Sequence, residues 1–179
     1  LTVDFQHYFA DKIKARKITP TDDVLSDIVN ASADGEHPMD VEECLSVISQ
    51  LLVAGNETTT STFAEGMHLL ATNPDQVKRV QDDPSLIPNM VEEMLRLSTS
   101  TAQMWRICKE ETEVHGVKIP AGAAMMIKFA SANRDATQFP DPDRFDVTRD
   151  NLKTQIAFGQ GVHHCLGAPL ARQELIIGF

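Results

Sequence analysis

The sequence predicts a mainly α-helical protein with a small β-sheet. Three observations carry that expectation. Apolar residues recur at helical spacing through the first half of the chain, beginning with Phe5, Phe9 and Ile13 at i, i+4 and i+8. Helix punctuation falls between these stretches: Asp40 with Glu43 in capping-box spacing, then Asn73-Pro74 and Pro88. Strand-like segments with turn residues are confined to a short region, where Gly116 and Pro120-Ala121-Gly122 mark turns between Glu113 and Phe129.

Taken in order, residues 3–17 read as an amphipathic helix. A second begins after Pro20-Thr21, with Asp22 and Asp23 in its first turn, where the helix dipole favours negative charge. Its apolar face is Val24, Leu25, Ile28 and Val29, and Ala33-Asp34-Gly35 is expected to end it. From Asp40 a long helix runs to Thr72, roughly 50 Å at about 1.5 Å per residue. Its middle, Gly55-Asn56-Glu57-Thr58-Thr59-Thr60, is poor helix chemistry. Threonine hydroxyls there are expected to open the helix locally. A short helix follows through Val77 and Val80. The next starts at Pro88 and places Glu93 and Arg96 on one face. A hairpin over residues 113–120 and a strand over 124–129 come next. Residues 135–158 show little periodicity, as functional loops often do.

Length and charge narrow the classes. With 179 residues the chain is expected to form one domain. A net charge of −10 argues against a nucleic-acid partner. Three cysteines without framework spacing fit a reducing compartment. No apolar run approaches the roughly 20 residues that span a bilayer. The start, Leu1-Thr2-Val3-Asp4, lacks the basic segment of a secretory leader. The expectation is a cytoplasmic protein with no membrane anchor in this chain.

The chemistry concentrates in Phe158-Gly159-Gln160-Gly161-Val162-His163-His164-Cys165-Leu166-Gly167-Ala168-Pro169-Leu170-Ala171-Arg172. Gly159, Gly161 and Gly167 permit positive φ and close approach of backbone to a flat ligand. A helical pattern from Leu166 puts Cys165 at a helix N-terminus, where unpaired N–H groups and the dipole favour a thiolate. A cysteine that ligates haem iron does so as such a thiolate. Zinc held by His163, His164 and Cys165 is the rival, but a structural zinc site needs a further ligand pair, and Cys108 and His115 have no finger spacing.

This stretch resembles the cysteine-ligand loop of the cytochrome P-450 superfamily, in its bacterial-type soluble form. Phe158, Gly159, Gly161, His163, Cys165 and Gly167 occupy every fixed position of Phe-Gly-x-Gly-x-His-x-Cys-x-Gly, and Leu170-Ala171-Arg172 completes it. Ala54, Gly55, Glu57, Thr58 and Thr59 are similar to the family's oxygen-binding helix. Glu93 and Arg96 match its Glu-x-x-Arg pair, with Arg144 as the implied third member of a structural triad. The resemblance implies an incomplete cytochrome P-450 fold, a C-terminal-half fragment without the N-terminal half and C-terminal tail. It covers residues 1–179: helices including the oxygen-binding one over 1–73, the Glu-x-x-Arg helix and small sheet over 74–134, and the meander, cysteine loop and following helix over 135–179.

The resemblance also assigns roles. Cys165 is the implied axial ligand of haem b, and backbone N–H groups after it would bond the sulfur. Ala54, Gly55, Phe158, Gly159, Gly161, Leu166, Gly167 and Ala171 are implied cofactor contacts. Arg106 and His163 would bond the propionates. Gly55 gives room over the iron, Thr58 holds dioxygen and its water, and Glu57 passes protons inward. The implied activity is a monooxygenase, inserting one atom of O2 into a small hydrophobic organic substrate. Electrons would come from NAD(P)H through a ferredoxin and its reductase. The alternatives are an inactive haem-binding fragment and a peroxide-driven haem-thiolate enzyme. Residues 98–103 depart from the family, which commonly carries a proline near Ser100.

Overall fold

The structure, a computed structural model, describes residues 2–32 and 37–179, apart from the side chain of Thr2. The described helices are α1 (Thr2–Ile18), α2 (Val24–Asn30), α3 (Val41–Thr72), α4 (Pro74–Asp82), α5 (Ile87–Ser98), α6 (Phe129–Ala132) and α7 (Ala168–Gly178). The strands are β1 (Met104–Ile107), β2 (Thr112–Val114), β3 (Val117–Ile119) and β4 (Ala124–Ile127). The chain divides into two compact units, Leu1–Asn56 and Glu57–Phe179. The division falls inside α3.

In the first unit, Ile13 of α1, Val29 of α2, and Cys44 and Ile48 of α3 form a buried cluster, with Phe5, Phe9 and Leu25 packed against it. The helical spacing of Phe5, Phe9 and Ile13 thus does mark the buried face of α1. Val24, expected on the apolar face of α2, is 69% exposed, and Ser26 is buried on that helix instead. Asp23 is the N-cap of α2, accepting from the Ser26 N–H at 2.7 Å, and does not lie in its first turn. The Arg16 guanidinium beside it, the Thr21 hydroxyl and the Ser26 N–H hold the Asp23 carboxyl far below the usual carboxylate range. α2 stops at Asn30, and the expected stop at Ala33-Asp34-Gly35 lies outside the described residues. The capping box is reciprocal: Asp40 N–H donates to Glu43 Oε2 at 2.9 Å, and Glu43 N–H donates to Asp40 Oδ1 at 2.8 Å.

α3 is an unbroken α-helix of 32 residues, so the expected opening at Gly55–Thr60 is absent. A threonine hydroxyl can back-bond the i−4 carbonyl without displacing the N–H, as Thr62 does to Thr58 at 3.0 Å. A Cβ built on Gly55 would meet nothing within 4 Å, so close packing is not what requires glycine there.

The second unit is built on α5. Its Met90, Met94 and Leu97 pack with Phe145 and Val147 of the irregular segment. Val91 and Leu95 pack with Leu175 of α7. At roughly 1.5–3 kcal/mol for each large side chain fully removed from water, these two faces hold the irregular segment and α7 to one helix. The strands form two separate antiparallel pairs, β1–β4 and β2–β3, where one small sheet was expected. His115 and Gly116 turn the second hairpin with φ of 47° and 80°, the positive pair that a two-residue hairpin loop needs. Between α6 and α7 only short 3-10 turns occur, Leu152–Thr154 and Gly161–His163.

Candidate active site around Cys165

The cysteine loop is closed by its own backbone. Gly159 N–H donates to Ile156 O at 2.9 Å, His164 N–H to Gly161 O at 3.0 Å, and Cys165 N–H to Phe158 O at 2.9 Å. Gly159 and Gly161 sit at φ of 68° and 74°, in the left-handed region that favours glycine. Gly167 does not share that reason: its φ is −81°, and it is the N-cap of α7. α7 therefore starts at Ala168, not at Leu166, because Pro169 enters the first turn only from there.

The loop is pinned from behind by side chains that the sequence left without a role. Arg172 on α7 donates from Nε and Nη2 to the two oxygens of Glu92 on α5, and its guanidinium lies 4.6 Å from the Phe158 ring centroid. Gln155 donates to the same Glu92 at 3.0 Å and accepts from Ala157 N–H at 2.6 Å. Asn133, fully buried, accepts from Ile156 N–H at 2.8 Å and donates to Thr99 Oγ1 at 2.9 Å. Of these side chains only Arg172 lay in a motif read from the sequence, at the end of the cysteine loop.

Glu93 and Arg96 form the buried pair expected of them. Arg96 Nε donates to Glu93 Oε2 at 2.7 Å and Nη2 to Oε1 at 2.8 Å, a two-pronged, charge-assisted contact. Arg96 Nη1 serves Asn133 O and Pro142 O, at 2.8 and 2.7 Å. The third member of the triad is Arg149, where the sequence suggested Arg144. Arg149 Nε lies 3.2 Å from Glu93 Oε1, whereas the Arg144 side chain is 56% exposed and faces Asp146. Arg144 joins the network through its carbonyl, which accepts from Arg96 and Arg149. Asp146 makes the difference. Its carboxylate takes the Thr148 N–H and hydroxyl, and that turn brings Arg149 back over Glu93.

Cys165 is exposed, and Val162 and Leu166 beside it are 97% and 91% exposed. Ala168 begins the buried side of α7, while Ala171 is half-buried. His163 is exposed. Arg106 on β1 is half-buried, and its guanidinium donates to Trp105 O at 2.8 Å. Glu57 is exposed on α3 and Thr58 half-buried, both in the second unit, while Ala54 and Gly55 belong to the first. Among the described residues no three His, Cys, Asp or Glu side chains converge to hold a metal ion, so the zinc rival lacks a ligand set.

A single thiol on a glycine turn, flanked by two almost fully exposed apolar side chains, fits a flat apolar group attached at sulfur. The N–H groups of Leu166 and Gly167 make no backbone hydrogen bond outside the helices and strands among the described residues. Arg106 and His163 offer donors for carboxylates. Haem b meets each of these requirements. No described helix is long and apolar enough to cross a membrane.

Comparison with known proteins accords with this geometry. The family model for "Cytochrome P450" matches residues 4–85 and 83–179. The chain is 41% identical over 168 residues to the 6-deoxyerythronolide B hydroxylase of Saccharopolyspora erythraea, covering 94% of this chain and 41% of that one. It is 44% identical over 163 residues to a steroid C26-monooxygenase of Mycobacterium tuberculosis, covering 91% and 43%. Among solved structures, cytochrome P450 CYP109Q5 from Chondromyces apiculatus superposes with a TM-score of 0.92 at 41% identity, over 98% of this chain and 45% of that one. The chain thus spans less than half the length of the relatives it matches. It belongs to the cytochrome P450 family, whose fold implies a cysteine-ligated haem b.

Proposed function

We propose that this chain is the cofactor-binding part of a haem-thiolate monooxygenase that inserts one oxygen atom from O2 into a hydrophobic organic substrate. The observation that carries the reading is the exposed Cys165 thiol, framed by Val162 and Leu166 and braced from behind by Arg172. Haem b, when bound there, supplies dioxygen activation, with thiolate donation favouring O–O cleavage. The chain's own residues do the rest. Cys165 holds the group, and the Leu166 and Gly167 N–H groups tune its sulfur. Gly159 and Gly161, at positive φ, would let the backbone approach it closely. Arg106 and His163 hold its carboxylates. The Thr58 hydroxyl holds a water and hands on its proton, and the exposed Glu57 carboxylate takes protons from solvent. The relatives named for a steroid and for 6-deoxyerythronolide B support an apolar substrate. Electrons would arrive from NAD(P)H through a ferredoxin and its reductase.

The test is Thr58→Ala in the haem-loaded intact protein. Haem binding persists while reducing equivalents go to hydrogen peroxide in place of hydroxylated product. Unchanged coupling would contradict the proton role, and turnover with peroxide but none with dioxygen and reductant would favour the peroxide-driven alternative.

A further inference from the structure

We propose that Ser100 is a positioning residue: with Thr62 it clamps the backbone carbonyl of Thr58 and ties that residue to the base of the cysteine loop. The proposal rests on the oxygenase reading above, because it assigns Thr58 its setting for proton delivery.

Three contacts form a triangle. The Thr58 carbonyl oxygen lies 3.0 Å from Thr62 Oγ1 and 3.1 Å from Ser100 Oγ, and the two hydroxyls are 2.7 Å apart. Each hydroxyl carries a single proton, so two protons serve three contacts. In one order Ser100 donates to the carbonyl and Thr62 donates to Ser100. In the other Thr62 donates to the carbonyl and Ser100 donates to Thr62. Either order keeps the carbonyl bonded and the hydroxyls bonded to each other. Thr62 is 3% exposed, whereas Ser100 is exposed. A donor from outside the helix draws a carbonyl away from the axis and lengthens its ladder bond. The clamp therefore fixes the peptide that follows the Thr58 side chain.

Ser100 is itself held. It follows Thr99, the C-cap of α5, which has left-handed backbone at φ 35°, ψ 62°. Thr99 Oγ1 donates to Arg96 O at 2.7 Å and accepts from Asn133, whose other end takes Ile156 N–H below the cysteine loop. A bonded path thus runs from Ile156 through Asn133, Thr99 and Ser100 to Thr58. A proline at position 100, common in the resembled family, has no hydroxyl and would lack the last link.

The experiment compares Ser100→Ala, Ser100→Pro and Ser100→Thr in the haem-loaded intact protein, by the Thr58 carbonyl-carbon resonance and by peroxide released per reductant consumed. Ser100→Ala and Ser100→Pro are expected to move the resonance upfield and raise peroxide several-fold, with the thiolate spectrum unaltered; Ser100→Thr restores both. A Ser100→Ala variant identical to wild type in both readouts overturns the clamp. A shifted resonance with unchanged peroxide overturns the positioning role. A wild-type protein without a thiolate spectrum overturns the oxygenase reading and the positioning role with it, while the resonance still decides whether the clamp exists.

Discussion

Arg149 Nε lies 3.2 Å from Glu93 Oε1, with both side chains buried and the two residues 56 positions apart in the chain. Its other nitrogens bond Pro140 O, Asp141 O and Arg144 O, so one guanidinium ties the irregular segment to α5. Removing one partner of a buried charged network leaves the other uncompensated. Arg149→Ala is expected to lower unfolding free energy by about 3 kcal/mol. Arg144→Ala, at an exposed pair, is expected to cost less than about 0.5 kcal/mol. Denaturant titration of both variants checks this, and equal losses would refute the assignment of Arg149.

Arg172 joins Glu92 to the Phe158 ring, and so connects α7, α5 and the cysteine loop. The ion pair is partly exposed, which limits its contribution to about 1 kcal/mol. Arg172→Ala is expected to loosen the loop more than the fold. In the haem-free chain a thiol reagent should modify exposed Cys165 first, since Cys44 and Cys108 are buried. The same reagent should act faster still in Arg172→Ala. An unchanged rate would show that the brace does not govern the loop.

Asp23 sets a pH dependence for the first unit. The Arg16 guanidinium, then Thr21 and Ser26, depress its carboxyl in the folded state. A depressed folded value means that the folded state binds the proton less readily than the unfolded chain. The stabilisation is therefore complete above the unfolded value of about 3.9 and is lost as pH falls from there toward the folded one. Acid unfolding of Asp23→Asn followed by helix signal should show a weaker pH dependence below about pH 4 than wild type. Identical profiles would contradict this.

Much of this was legible before the structure. The Asp40–Glu43 spacing encodes a local cap, and the capping box forms as read. The hairpin turn at Gly116 is equally local. The long helix was legible, but its continuity through Thr58–Thr60 was not, because propensity said nothing of hydroxyls that bond without breaking the ladder. The fixed positions of the cysteine loop were readable as a motif, whereas Arg149 was not. Its place depends on how a segment without periodicity turns at Asp146, and no spacing rule encodes that path. Asn133 and Gln155 were missed for the same reason: their partners lie far along the chain.

The central claim is that Cys165 is the sulfur that holds haem. It is tested most directly by the reduced carbon-monoxide difference spectrum of the haem-loaded intact protein. Wild type and Cys44→Ala are expected to give the thiolate-type band, and Cys165→His to bind haem without it. A thiolate band that survives in Cys165→His, or is missing from wild type, would contradict the account.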